Sequence, residues 1–145
     1  MPQAMATEIQ KQCETIEECY EFTLSYAARG LASEEGSELR AQLTRAVAAM
    51  RGLERSCAET VAQQHGPAGK YEAFFAVLKR DAESALAAME LVLAQPAIGS
   101  QLIDNLNASI HLRALLADLF LVTEILDAQQ ARAKAGAANA AIGPH

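Results

Sequence analysis

The chain has 145 residues, a formal net charge of −6 and a sequence pI of about 5.0. This length predicts one domain with an independent core. The 12 basic residues are dispersed along the chain. Binding to nucleic acids or to anionic membranes needs a cluster of basic residues on one face, so we expect neither as a partner. Abundant helix-favouring residues and only four prolines predict an all-α fold.

Glycine and proline divide the chain into four long segments. Breaks fall at 29–37, 65–69 and 95–100, and the predicted helices span 6–29, 37–64, 70–94 and about 100–127. Similar lengths with short connections favour antiparallel neighbours, so we predict an up-down-up-down four-helix bundle over 1–127. The Ala-rich residues 128–145 predict a C-terminal extension or flexible tail, with fraying beyond Gly136.

The first two predicted helices each carry an apolar seam at heptad-like spacing. The seam of the first comprises Ile9, Cys13, Ile16, Tyr20, Leu24 and Ala27, and that of the second Leu39, Leu43, Val47, Met50, Leu53, Cys57 and Val61. Gly30 suits the left-handed position just past a helix end. Ser33 or Ser37 can cap the second helix.

The third predicted helix is rich in aromatic residues. Its seam comprises Tyr71, Phe74, Phe75, Leu78, Ala82, Ala85, Met89 and Leu93. Aromatic residues at helical spacing usually form core, but Tyr20, Tyr71 and Phe75 can also line a cavity within a bundle. A bundle that binds a small apolar ligand is therefore the alternative function.

The fourth predicted helix, capped by Ser100, is apolar around most of its circumference. It has more apolar surface than one core face requires, which predicts that it is either central or an interface. We expect a homodimer or a complex with another protein, formed through Leu112, Leu116, Leu119, Phe120 and Thr123.

A polar stripe on the same helix contains Asp104, His111 and Asp118, with Asn107 beside them. Steps of seven residues separate its members by about 10 Å each. The other helices offer no matching inward histidine or carboxylate, so we expect no metal and interpret the stripe as a solvent-facing edge.

Cys13, Cys19 and Cys57 predict free thiols in a reducing compartment, and hence a cytoplasmic protein. Cys13 and Cys57 lie on core seams, and the glutamates around Cys19 should raise its pKa. Because no catalytic or cofactor motif appears, we expect no enzyme and no cofactor. The predicted function is an interaction protein: an adaptor, a chaperone-like binder or a regulator.

Overall fold

The computed structural model describes residues 7–63 and 69–142, with side chains up to residue 138. Every regular element in those residues is an α-helix, so the all-α class is confirmed, but five helices replace the predicted four. The predicted break at 65–69 lies mostly outside the described residues. The helices are α1 (Glu8–Ala27), α2 (Leu39–Gln63), α3 (Lys70–Leu93), α4 (Ser100–Ala108) and α5 (Ile110–Ile142).

Local capping sets the ends of the first helices. Thr7 and Gln10 form a capping box at the start of α1, each side chain accepting from the other residue's backbone N–H. Gly30 follows α1 with a φ of 67°, the left-handed conformation predicted for it. Ser37, one of the two predicted caps, accepts a hydrogen bond from the N–H of Leu39, the first residue of α2.

Contacts between helices show the direction in which neighbouring helices run. They join Gln10 of α1 to Asp127 of α5, Arg40 of α2 to the carbonyl of Leu93 at the end of α3, and Tyr71 of α3 to Gln129 of α5. Further along, Cys13 of α1 is near Thr123 of α5, Glu54 of α2 pairs with Lys79 of α3, and Asp81 of α3 is near Asp118 of α5. The numbering runs in opposite directions along each pair, so these helices run antiparallel. α5 packs against α1, α3 and α4.

The predicted fourth helix is broken at Ser109, whose backbone is extended at φ −61° and ψ 128°. The hydroxyl of Ser109 accepts a hydrogen bond from the N–H of His111 in the first turn of α5. Asn107 is buried, and its side-chain oxygen accepts a hydrogen bond from Thr23 of α1 at 2.8 Å. Ser competes with the helix for backbone hydrogen bonds, and here Ser109 bonds the first turn of α5, while Asn107 holds the end of α4 against α1.

The core follows the predicted seams on α2 and α3 and departs from the predicted seam in the second half of α1. Tyr20 and Ala27 are only partly buried there and Leu24 is 48 % exposed, while the core positions belong to Cys19, Thr23 and Tyr26. The difference arises because Thr23 and Tyr26 each bond to a distant segment, which turns their side of α1 inward.

The start of α4 is tied to the end of α1. Ser100 is not the cap predicted for it: Gly99 occupies the cap position, and the Ser100 hydroxyl donates to the carbonyl of Tyr26 and accepts from the N–H of Leu31. A Cβ on Gly99 would lie 3.0 Å from the carbonyl oxygen of Leu31. The close approach of the two connections therefore depends on glycine at this position.

α5 extends well beyond the predicted end of the fourth helix. It continues through Gly136 to Ile142, where the sequence predicts fraying, and the side chains of 131–138 are exposed. Alanine has the highest helix propensity, which favours this continuation. The division into a bundle over 1–127 and an extension over 128–145 stays a prediction.

Candidate interaction surface

Three of the five predicted interface residues lie in the core. Leu112, Leu116 and Leu119 are at most 4 % exposed, so they cannot contact a second chain while this fold is kept. Phe120 is 45 % exposed, and Thr123 is partly buried with its hydroxyl bonded to the carbonyl of Leu119. The strongest apolar side of α5 is its core face, so these leucines belong to it.

A second set of apolar residues lies on the outer side of α5. Ile110 is 72 % exposed, Leu121 52 % and Ile125 38 %. Ala114 and Ala117 fall between them on the same side, at steps of three and four residues. α5 therefore has two apolar sides: a buried side that belongs to the core, and this exposed outer strip. The outer strip accounts for the excess of apolar surface predicted from the sequence.

The outer strip borders a groove between α3 and α5. The groove has a volume of about 240 Å³ and is lined by Lys70, Tyr71, Phe74, Phe75, Leu121, Val122 and Ile125. The rings of Tyr71 and Phe75 are tilted with centroids 6.3 Å apart, and Gln129 donates to the Tyr71 hydroxyl at 2.6 Å. Val77, one turn beyond Phe74, is also exposed. We call Phe74 and Val77 of α3, with Leu121 and Ile125 of α5, the α3–α5 face.

Lys70 lies at one end of the groove. Beyond the opposite end, two carboxyl groups come close to each other. The side chain of Asp81 on α3 lies close to that of Asp118 on α5. Burial, followed by the hydrogen bond and the charge of Asp81, raises the pKa of Asp118 to about 7. One oxygen of Asp118, Oδ2, is buried and has no hydrogen-bond partner in the described part of the chain. Burial and the neighbouring Asp81 thus favour the protonated form of Asp118.

The sequence interpretation missed this pair because it found no inward carboxylate on another helix, and that expectation is wrong. Asp81 lies directly before Ala82 and three residues after Leu78, both of them core residues. The sequence does show an acidic residue, Asp81, beside the apolar seam of α3, and Asp118 on a second helix. It does not show that α3 packs against α5, and that packing brings the two carboxyl groups together.

The predicted Asp104–His111–Asp118 stripe is not assembled as a unit. Asp104 and His111 are exposed, whereas Asp118 is partly buried. The break at Ser109 places Asp104 on α4, separate from the other two. Residues 7–63 and 69–142 contain no group of three His, Cys, Asp or Glu side chains able to hold a metal.

The three thiols are buried and free. Burial raises the pKa of Cys19 to about 12 and that of Cys57 to about 11, and it also raises the pKa of Cys13. For Cys19 the predicted direction is confirmed, but the cause is burial and not the neighbouring glutamates. Such thiols behave as small core residues.

The cavity suggested for an apolar ligand is formed only in part. Tyr71 and Phe75 line the α3–α5 groove together, but Tyr20 lies on α1 and is not among its lining residues. Ligand pockets usually occupy about 300–1,000 Å³, and the groove at about 240 Å³ is smaller. Its shape is that of a groove on the surface between two helices.

No protein-family model, curated protein or solved structure matches this chain. Among the helices of the described segments, none has the length and apolarity needed to cross a membrane. The function must therefore be argued from the surface itself.

Proposed function

We propose that this chain is a non-enzymatic, cytoplasmic interaction protein that forms a homodimer through its α3–α5 face. In this proposal the molecule is a four-helix bundle whose fourth helix is broken into α4 and α5. The observation that carries the proposal is the exposed apolar strip on α5, which lies beside a groove and is separate from a complete core face. Apolar patches of this kind mark contacts with other proteins.

A second copy of the chain is the occupant we infer. In an isologous contact each copy offers the same patch, and the two-fold axis lies within the interface. With that axis perpendicular to the helices, α3 lies antiparallel over α3 of the second copy, and α5 over α5. Leu121 and Ile125 are then removed from water in both copies, so each substitution acts twice on the dimer.

Light scattering on purified protein tests the proposal. We expect the wild type to have the mass of a dimer and the double variant Leu121→Glu, Ile125→Glu to be a monomer with unchanged helix content. The matched control is Leu24→Glu on α1, because Leu24 is 48 % exposed, close to the exposure of Leu121. The control should stay dimeric. A monomeric wild type, or a control that dissociates as fully as the double variant, would contradict the proposal.

The alternative, a small apolar ligand, is supported by the aromatic lining of Tyr71 and Phe75. Titration with a fluorescent anilinonaphthalene sulfonate probe distinguishes the two functions. Saturable binding at one site per monomer, lost in Phe74→Glu with the dimer mass unchanged, would favour the ligand. The absence of saturable binding to the wild type, whose face would be covered in the dimer, would favour the dimer.

A further inference from the structure

The two ends of the α3–α5 groove carry opposite charge. Lys70, the first residue of α3, is exposed and lines one end. The Asp81–Asp118 pair lies beyond the other end. Lys70 and Asp81 are separated by about 16 Å along α3, at a rise of 1.5 Å per residue. Between them lies the apolar α3–α5 face.

This arrangement is complementary to itself. A two-fold axis perpendicular to α3 and midway between Lys70 and Asp81 exchanges the two ends of the groove. It therefore places Lys70 of the second copy opposite the carboxyl pair of the first, and the reverse. The same operation stacks the apolar face on itself, so charge and apolar surface select the same register.

We propose that the Asp81–Asp118 pair of each copy receives the ammonium group of Lys70 from the other copy, and that this contact fixes the register of the dimer and couples dimerisation to pH. The inference rests on the proposed function, since it requires the dimer. It adds to the apolar face a specific polar contact that the two-fold axis makes twice, with Asp81 and Asp118 both only partly buried.

The direction of the pH dependence follows from the groups around Asp118. α5 packs against α1, α3 and α4, and the one charged side chain among the described residues that shifts the pKa of Asp118 is Asp81 of α3. In the free chain that pKa lies at about 7. The incoming ammonium group favours the ionised carboxylate and lowers the pKa, so dimerisation releases protons. Association therefore tightens as the pH rises.

A charge-exchange experiment tests the contact. Sedimentation velocity at pH 8 gives the dissociation constant of the dimer for the wild type, for Lys70→Glu and for Asp81→Lys. We expect each variant alone to dimerise at least about tenfold more weakly than the wild type. An equimolar mixture of the two should recover dimerisation, because the mixed dimer pairs Glu with Lys at one contact and Lys with Asp at the other.

The pH dependence provides the second measurement. Between pH 6 and pH 8 the wild-type dimer should tighten by about tenfold, and Asp118→Asn should remove most of that change. Lys70→Glu should reverse the pH dependence, so that the dimer weakens as the pH rises. The reason is that the introduced glutamate is repelled by Asp81 and Asp118, and this repulsion is smaller at low pH, where Asp118 is protonated.

The outcomes separate this inference from the proposed function. If the wild type dimerises through the α3–α5 face but neither charge variant weakens it, or the mixture fails to recover, the Lys70 contact is wrong and the dimer stands. If the wild type is monomeric at every pH and concentration, the proposed function fails, and this inference fails with it. Circular dichroism on each variant ensures that loss of helix is not mistaken for loss of contact.

Discussion

At the scale of the residue, the carboxyl of Asp118 depends on a neighbour from another helix. Its pKa rises to about 7 because it is partly buried and faces Asp81. In the unfolded chain the pKa returns to its ordinary value of 3.8. Folding therefore takes up a proton between those two values, and the free energy of unfolding decreases as the pH rises from about 4 to about 7.

Replacing Asp118 with Asn should stabilise the folded chain above pH 7. Asn places no second negative charge beside Asp81, and after allowance for solvent screening we expect a gain of about 1–2 kcal/mol at pH 8. The gain should vanish below about pH 4, where the aspartate is protonated in both states. Urea unfolding at a protein concentration below the dissociation constant of the dimer measures it without a contribution from dimerisation.

The control for this change is Asp104→Asn on α4, where the carboxyl is exposed. Surface substitutions of that kind alter stability by less than about 0.5 kcal/mol. A gain for Asp118→Asn that is equal at pH 4 and pH 8 would contradict the carboxyl pair.

At the scale of the element, the break between α4 and α5 is held by a buried contact to α1. The Thr23 hydroxyl lies 2.8 Å from the side-chain oxygen of Asn107 and 2.9 Å from the carbonyl of Tyr20, and it shares its one hydrogen between them. Thr23 and Asn107 are both buried. The Nδ2 of Asn107 has no hydrogen-bond partner among the described residues, so the side chain already depends on a single polar contact. Loss of that contact leaves the whole amide unpaired in the core.

Thr23→Val should therefore destabilise the chain by about 1–3 kcal/mol, the range for a buried polar group that loses its partner. Thr15→Val is the matched control: it lies on the same helix, and its hydroxyl donates only to the carbonyl of Lys11, within α1. Chemical denaturation of both variants measures the difference. Equal effects would show that the contact with Asn107 contributes little.

The elements also show how far sequence reasoning reaches. Periodicity locates the core seams of α2 and α3, and Gly30 and Ser37 behave as their backbone chemistry predicts. The break at Ser109 was missed because an apolar run outweighed Asn107 and Ser109, and the effect of Asn107 depends on Thr23 in α1. Periodicity likewise shows that the fourth helix has surplus apolar surface, but it cannot tell which side the core takes. Leu116, a predicted interface residue, therefore lies in the core, and the exposed Leu121 was not among the predicted interface residues.

At the scale of the whole molecule, the groove, the outer strip and the charges lie on one side. α3 and α5 bring together Lys70, the apolar face and the carboxyl pair, which are far apart in the sequence. On α5 alone, four large apolar residues are exposed in the monomer: Ile110, Phe120, Leu121 and Ile125. Dimerisation through the face would cover Leu121 and Ile125. It would also bring Lys70 of each copy to the carboxyl pair of the other copy.

The most direct test of the dimer is site-specific cross-linking at Val77→Cys. Val77 lies on the α3–α5 face close to the inferred two-fold axis, and the three native thiols are buried. A short bis-maleimide should convert Val77→Cys to a covalent dimer and leave Leu24→Cys on α1 monomeric. No covalent dimer from Val77→Cys in folded protein, or equal yields from the two variants, would contradict self-association through this face.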